Sequence, residues 1–314
     1  MADVMTPSRS ERAQLLLITA LALAVILVTV ALLLNAAIFT ENVATRDTTA
    51  DGPEAIELRG ELVSGIGELI EQQNRQGQDG SDIADSVESG IDEIGPMVDR
   101  ERASGGTVAT LSHDPNDDEM GHLLGWTDES SAFDAIDNET LVEGLSDARA
   151  FELNLTAMAS LSDPNASQIE NEAFGVRFVT AGDNVTQYIY EDNETVVIAN
   201  ATENTDPRSR CTVNESGPTI VDLTGDELRT DDEIRQCYRG LWPDEDPESI
   251  EFSNGEHTTG TFTLTVDEAA SANPSEDSSL QVDDAIYSVT VDIGYQSRDL
   301  TFETTARVAP GEPR

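Results

Sequence analysis

The chain has 314 residues and a formal net charge of −45, with 62 acidic side chains against 17 arginines and no lysine. This charge excludes ordinary nucleic-acid binding, because that requires cationic side chains to neutralise phosphates, and it disfavours docking on anionic lipid headgroups. Hydrophobic residues still make up 38% of the chain. We therefore interpret the acid excess as adaptation to high salt, where like-charge repulsion is screened, and not as disorder.

A long apolar segment near the N-terminus is the first predicted element. Residues 15–34 carry no charge, and a helix of that length is roughly 30 Å long, enough to cross the hydrocarbon of a bilayer. Arg9 and Arg12 precede the segment, so the positive-inside rule places the N-terminus in the cytoplasm and the residues from about 41 onward outside. The sequence thus predicts a single-pass protein of the cell membrane with an extracellular C-terminal domain.

The junction before the apolar segment resembles the cleavage region of archaeal type IV prepilins. The motif is the run from Glu11 to Leu17, in which Ala13 follows a basic residue and precedes the apolar residues. The resemblance implies that a prepilin peptidase cuts between Ala13 and Gln14. Ile18 stands where many pilins carry a glutamate. The N-terminal segment as a whole also resembles pilin-like surface proteins of halophilic archaea.

This resemblance implies a non-enzymatic, membrane-anchored cell-surface protein that acts as a minor type IV pilus-like subunit or as an assembly or adhesion component. The implied partners are the membrane, other pilin-like subunits and a prepilin peptidase, with no nucleic acid. Two alternatives stay open. The first is an unprocessed, signal-anchored envelope or binding protein with an extracellular β domain, and the second is an ectoenzyme.

Four regions are predicted along the chain. A cytoplasmic leader covers residues 1–13, and a transmembrane, pilin-like helix covers residues 14–40. A helical stalk region covers residues 41–104, and a β-rich extracellular domain covers residues 105–314. The predicted fold class is therefore α+β, with a long N-terminal transmembrane helix, two amphipathic helices and then a mainly antiparallel β ectodomain.

The two amphipathic helices are predicted from apolar residues spaced three and four apart, over residues 55–70 and again over residues 83–98. We expect both stripes to pack on each other or on the downstream domain, because fewer than three full heptads are present for a coiled coil. Pro96 is expected to kink or end the second helix. A further short helix is predicted near residues 138–148.

From about residue 105 the sequence changes to short runs rich in β-branched and aromatic residues, separated by segments rich in Asp, Asn, Gly and Pro. Several runs alternate between apolar and polar residues, and the last two flank a predicted turn at 294–299, which indicates a terminal hairpin. Nine strands are predicted, at residues 107–111, 151–158, 174–180, 185–190, 195–199, 219–223, 260–266, 285–295 and 300–308.

Two kinds of covalent modification are predicted on the outer side. Cys211 and Cys237 are the only cysteines, and an even pair in an exported chain indicates a disulfide. Asn-x-Ser/Thr sequons, which are acceptors for N-glycosylation, all lie downstream of the membrane segment. The seven candidate glycosylation sites are Asn138, Asn154, Asn165, Asn184, Asn193, Asn200 and Asn214.

No catalytic or cofactor motif is present in the sequence. There is no HExxH, GxSxG or P-loop motif, and the two cysteines lack the histidine spacing of a zinc site. The acidic run from His113 to Glu119 lacks the spacing of a calcium-binding EF-hand loop, so we interpret it as a solvated loop. Trp126 and Trp242 are expected to pack in the core. No catalytic residue, metal ligand or cofactor is assigned.

Overall fold

The computed structural model describes residues 52–77, 79–133, 140–237, 240–272 and 279–313. This part of the chain forms mostly antiparallel β sheets, together with three α-helices. The helices are α1 (residues 52–74), α2 (Gly80–Ala103) and α3 (Ala166–Glu172). The strands are β1 (Val108–His113), β2 (Glu119–Trp126), β3 (Thr140–Glu143), β4 (Ala148–Ala157), β5 (Ser160–Leu161), β6 (Phe174–Val179), β7 (Val185–Asp192), β8 (Thr195–Thr202), β9 (Thr205–Asn214), β10 (Thr219–Asp222), β11 (Glu227–Arg229), β12 (Ile234–Gln236), β13 (Ser249–Ser253), β14 (Thr259–Asp267), β15 (Ser271–Ala272), β16 (Leu280–Gln296) and β17 (Thr301–Val308).

The α+β prediction with a leading transmembrane helix is wrong for this structure. The architecture is mostly antiparallel β, and the two long helices are packed onto one of the sheets. In the described part of the chain no helix is long and apolar enough to cross a membrane. The helix predicted at residues 14–40 lies outside the described residues.

The strands form two sheets. The first has nine strands in the order β1-β16-β2-β14-β4-β10-β11-β12, with β17 pairing with β16 as well. The second has eight strands in the order β15-β3-β13-β6-β7-β8-β9, with β5 beside β7 in the one parallel pair among the described strands. Alternating burial along β4 and β6 shows that one face of each sheet points inward, so the sheets pack face to face as a sandwich.

Aromatic rings fill the centre of the sandwich. Phe133 contacts the rings of Trp126, Phe174, Phe252 and Phe262, with ring centroids 5.4–6.0 Å apart. These rings come from both sheets, so Phe133 joins the two inner faces. Burial of such large side chains is the main stabilising contribution of this core, at about 25 cal/mol per Å² of apolar surface.

A second core lies where β16 extends beyond the sandwich. The first half of β16 pairs with β2, while its second half pairs with β1 on one side and β17 on the other. The buried stripes of α1 and α2 cover this three-stranded extension. The helices thus pack on the downstream domain, which is one of the two arrangements expected from the sequence. The apolar residues of α2 that lie in this core are Ile83, Val87 and Ile91.

All nine predicted strands are present, including the terminal hairpin of β16 and β17. The short helix predicted near residues 138–148 is wrong for the described part of that range, which contains β3 and the start of β4. Strand pairing of β3 with β13 and the burial of Leu141 and Val142 override the local helical pattern. The second helix does not end near Pro96 but continues to Ala103, because its packing on β1 offsets the lost hydrogen bond.

Candidate functional site

A cleft of about 1060 Å³ lies beside the junction between the sandwich and the helix-covered extension. The loop before β4, the turn after β10, the segment that follows Cys237 and the C-terminal end of the chain form its walls. Acidic side chains dominate its charged lining, and Arg307 is the one basic residue among the described lining residues. The acidic residues of the lining are Glu119, Asp147, Asp226, Asp244, Asp246 and Glu312.

Arg307 on β17 holds two of these carboxylates. Its Nε and Nη2 atoms donate to Oε2 of Glu119 at 3.1 and 2.8 Å. Its Nη1 atom donates to both carboxylate oxygens of Glu312, at 2.9 and 3.0 Å. The Ser288 hydroxyl also donates to Oε2 of Glu119, at 2.6 Å. These contacts, with Ser288 contributing most and Arg307 next, lower the pKa of the Glu119 carboxyl below its ordinary value of 4.5.

The phenol of Tyr287 completes this network. Its hydroxyl donates to Oε1 of Glu312 at 3.1 Å, and the guanidinium groups of Arg149 and Arg307 lie over its ring at 5.5 and 5.6 Å. Burial, and then the neighbouring Glu312 carboxylate, raise the pKa of Tyr287 well above its ordinary value. The phenol therefore stays protonated and acts as a hydrogen-bond donor.

Arg149 is a buried residue behind the cleft that connects several elements of the fold. Its side chain is fully buried and donates to the carbonyl oxygens of Tyr287, Ile286 and Pro310 at 2.8, 2.9 and 2.8 Å. It also forms an ion pair with Glu71 on α1. One side chain of β4 thus binds the middle of β16, the C-terminal segment and the first helix, because a guanidinium presents five donors in a fixed geometry.

Ion pairs occupy two of the carboxylates that line the cleft. Glu119 and Glu312 are both engaged by Arg307, so neither carboxylate is free to exchange protons with a substrate without breaking an ion pair. Asp147 is the exception, because burial, and then the Glu312 carboxylate, raise the pKa of its carboxyl above 3.8. Among the described residues no group of three or more His, Cys, Asp or Glu side chains is placed to hold a metal ion.

The predicted disulfide is confirmed. Cys211 and Cys237 are bonded, with their Cα atoms 5.3 Å apart, and both are buried in the sandwich core. Cys211 lies on β9 at the edge of the second sheet, whereas Cys237 follows β12 at the edge of the first. The bond therefore fastens the two sheets together at one side of the sandwich.

The sequons differ in accessibility. Asn165 precedes α3, Asn193 lies in the turn between β7 and β8, and Asn214 ends β9, and all three are exposed. The remaining described sequons are half-buried, at Asn154, Asn184 and Asn200. Asn138 lies outside the described residues, as do the predicted processing residues Ala13 and Gln14. Glycosylation and processing stay predictions.

The acidic run after β1 is less solvated than its composition predicts. His113 and Asp118 form a contact of 2.7 Å between Nε2 and Oδ1, and their side chains are only 3% and 5% exposed. Burial raises the pKa of Asp118, although the His113 contact opposes this shift. The residues between them are exposed, and Asp114 accepts hydrogen bonds from Asn116. This segment is thus a turn with a buried polar pair at its base.

Neither Arg149 nor Asn74, which fix α1 to the sandwich, could be identified from the sequence. Arg149 looks like any other arginine of an acidic chain, and Asn74 lies beyond the amphipathic helix predicted over residues 55–70. No pattern in the sequence marks Arg149, which lies two residues before the strand predicted at 151–158, because an arginine is fully buried only where the fold supplies its partners. Trp126 is buried as expected, while Trp242 is half-buried against Phe178 and lines the cleft.

Comparisons with known proteins give one sequence match. A model for a family of unknown function, DUF7261, matches residues 9–134, which spans the apolar segment, α1, α2, β1 and β2. No curated protein matches the sequence. A crystal structure of Scytalido-glutamic peptidase with a peptide-based transition-state analog is similar at 11% sequence identity and a TM-score of 0.15, covering 60% of this chain and 87% of that one. At that TM-score the likeness carries no argument about fold or activity.

Proposed function

We propose that this chain is a non-enzymatic cell-surface protein, attached at the membrane through its apolar N-terminal segment, and that it acts as a pilin-like subunit or as an assembly or adhesion component. The observation that carries the proposal is the disulfide between Cys211 and Cys237. Disulfides persist in oxidising environments outside the cytoplasm and are rare inside it. The β-sandwich that contains this bond is therefore the exported part.

The exposed sequons also support an extracellular position for the sandwich. Asn165, Asn193 and Asn214 each present an acceptor amide on the surface of the sandwich. The acidic composition also fits a surface in contact with concentrated salt, where repulsion among carboxylates acts over a Debye length of only about 3 Å at 1 M.

The junction around Arg149 supports a role in which the chain transmits force or holds position. α1 is the first described element after the apolar segment, and its C-terminal half is fixed to the sandwich by the Arg149–Glu71 ion pair. Asn74, at the end of α1, forms two further hydrogen bonds with Ile286 of β16. A force applied to the N-terminal segment is therefore transmitted to the sandwich through buried polar contacts. Such contacts make a structure rigid when all their hydrogen bonds are satisfied.

The cleft gives little support to an ectoenzyme. The carboxylates of Glu119 and Glu312 are held by the guanidinium of Arg307, and the Tyr287 phenol is kept protonated. A general acid or base needs a group that is poised to exchange a proton at the working pH. The alternative of an unprocessed, signal-anchored protein shares the same exported sandwich, so the two readings differ at the N-terminus.

The N-terminus of the native, membrane-extracted protein tests the proposal. Sequencing should begin at Gln14, as the prepilin-like junction implies. A chain that retains Met1 or Ala2 would instead favour the simple signal anchor, and a chain that begins near Ile38 would mean a secreted protein. Replacement of Ala13 by leucine should block cleavage, so that the leader is retained. The control Ala37→Leu, at a small residue beyond the apolar segment, should leave cleavage after Ala13 unchanged.

A further inference from the structure

A shallow groove of about 440 Å³ lies over the disulfide, between the edge strands β9 and β12. Its charged lining consists of Arg210 and Arg235, and no acidic side chain is among the described residues that line it. The chain carries 62 acids against 17 arginines. The described lining of the groove is therefore cationic within a strongly acidic molecule, and Glu233 beside it pairs with Arg235.

A β-bulge places the first arginine. Cys211 pairs with Ile198 and Ser209 pairs with Ala199, so Arg210 is an extra residue without a partner on β8. Bulges bend a strand and re-aim its side chains. Arg210 is half-buried, and its Nη2 atom donates to Oδ1 of Asn200 at 3.3 Å. In the described part of the chain it has no ion pair, which leaves most of its donors available.

The other wall of the groove combines an apolar and a cationic side chain. Ile234 is 66% exposed, which makes it one of the few large apolar side chains on the described surface. Arg235 is half-exposed, and its Nε and Nη2 atoms donate to Oε1 of Glu233 at 3.3 and 2.7 Å. Its Nη1 atom remains available in the described structure. Arginine is among the residue types enriched at protein interfaces and at their hot spots.

The edge strand itself resists simple strand addition. β9 is the last strand of its sheet, and it contains Pro207, which cannot donate a backbone hydrogen bond, and two register shifts against β8. Proline and bulges are the means by which proteins protect an edge from pairing with another chain. Contacts at this edge are therefore expected to run through the side chains of the groove.

We propose that this groove is an interface with a second copy of the chain, in which Arg210 and Arg235 receive acidic side chains of the neighbour and Ile234 packs against it. Charge complementarity identifies the partner, because every copy presents a strongly acidic surface. Guanidinium groups bind carboxylates through paired, charge-assisted hydrogen bonds. The inference names a partner for the proposed assembly role and rests on that role.

Salt dependence distinguishes this partner from other anions. Two copies with a net charge of −45 each repel one another at low salt, and molar salt removes that repulsion while contact-range hydrogen bonds persist. Self-association should therefore strengthen as salt is raised. An anionic polysaccharide held by the same arginines would instead be released by salt.

The test uses the purified full chain in detergent. Its mass is measured by sedimentation at several KCl concentrations from roughly 0.2 to 3 M. The parent should associate more strongly at the high-salt end. The combined variant Ile234→Ser, Arg210→Gln and Arg235→Gln should raise the dissociation constant by about tenfold or more, as expected for loss of interface hot spots. The matched control replaces one exposed apolar residue and two exposed arginines elsewhere, as Val108→Ser, Arg59→Gln and Arg298→Gln.

Each outcome decides the proposal. If the parent stays monomeric at high salt, or if the triple variant associates as the parent does, the groove is not a self-association surface. If the control loses association equally, the effect belongs to surface charge in general and the proposal fails. A thiol assay and thermal unfolding must show that the variant keeps its disulfide and fold. An N-terminus at Gln14 together with a monomeric parent would overturn this inference while leaving the proposed function standing.

Discussion

Asn74 and Ile286 are joined by two hydrogen bonds of 2.9 Å each. The Asn74 amide nitrogen donates to the Ile286 carbonyl oxygen, and the Ile286 backbone N–H donates to the Asn74 side-chain oxygen. The pairing of β16 with β2 shifts register between Ile286 and Ser288. Asn74 therefore takes the place of a neighbouring strand at the point where β16 leaves the sandwich, and it satisfies the Ile286 N–H, which would otherwise be buried without a partner.

Replacement of Asn74 by alanine should lower the free energy of unfolding by about 1–3 kcal/mol, because it leaves the buried N–H of Ile286 unsatisfied, while the Ile286 carbonyl keeps its hydrogen bond from Arg149. Urea unfolding at molar salt measures this change. The control is Gln72→Ala, at an exposed residue of the same helix, which should change stability by less than about 0.5 kcal/mol. Equal effects of the two substitutions would contradict the structural role of Asn74.

Replacement of Arg149 by methionine should be more severe, at about 3–5 kcal/mol, because Glu71 and three carbonyl oxygens lose their shared donor. Methionine keeps much of the apolar volume, so the loss reports on the polar contacts and not on a cavity. Equilibrium unfolding measures it, with the exposed Arg298→Met as control. A variant as stable as the parent would show that Arg149 does not hold the junction.

The elements that the sequence predicts well are those with a repeating burial pattern. Ile83, Val87 and Ile91 recur at helical spacing and are all buried in α2. The alternation of β16 and β17 likewise predicts their hairpin, because side chains on one face of each strand enter a core. Edge strands escape this reasoning. β12 is exposed at all three of its residues, so no burial pattern marks it as a strand.

The junction could not be predicted because its contacts join residues far apart in the chain. Asn74 and Ile286 are separated by 212 positions, and nothing local to either residue indicates the other. The disulfide was predictable because a cysteine pair in an exported chain carries its own chemistry. The helix predicted near residue 140 failed for a related reason, since pairing with β13 decides the conformation there.

Loss of the disulfide should destabilise the sandwich. The bond closes a loop with a sequence separation of 26, and the chain-entropy model assigns about 3–4 kcal/mol to a loop of that size. The double variant Cys211→Ser, Cys237→Ser should therefore unfold at a lower urea concentration than the parent. Reductant should shift the parent toward the variant but leave the variant itself unchanged. A reductant effect on the variant would mean that another process is being measured.

Stability around Glu119 should depend on pH in a defined direction. Its pKa is lower in the folded protein than the ordinary value of 4.5, first through Ser288 and then through Arg307. The folded state thus binds fewer protons, so this contribution is complete above pH 4.5 and is lost as the pH falls through the lower folded pKa. The stability difference between the parent and Glu119→Gln should be largest near neutral pH and should shrink in acid.

Asp147 provides the opposite case in the same cleft. Burial, and then the Glu312 carboxylate, raise its pKa above 3.8, so the folded state binds more protons and stability is lost as the pH rises through the raised pKa. Asp147→Asn should therefore gain stability relative to the parent as the pH increases. If both variants changed in the same direction with pH, the two carboxylates would not have the environments described above.

Glycan occupancy should follow the accessibility of the six sequons that lie in the described part of the chain. Asn193 lies exposed in a tight turn with a positive φ of 48°, whereas Asn154 lies in the middle of β4, between β10 and β14, with a buried side-chain oxygen. A glycan at Asn193 extends into solvent, but one at Asn154 would have to displace neighbouring side chains of the sheet.

Peptide mapping of native protein should therefore find glycan at Asn165, Asn193 and Asn214 before it finds any at Asn154 or Asn200. Substituting Asn193 by glutamine should remove one glycan and should cost about 1 kcal/mol of stability or less, because the left-handed backbone there favours asparagine over glutamine. Substituting Asn154 in the same way should leave the glycan mass unchanged. Occupancy at Asn154 equal to that at Asn193 would mean that modification precedes the folding of β4, since the folded sheet holds that side chain within its surface.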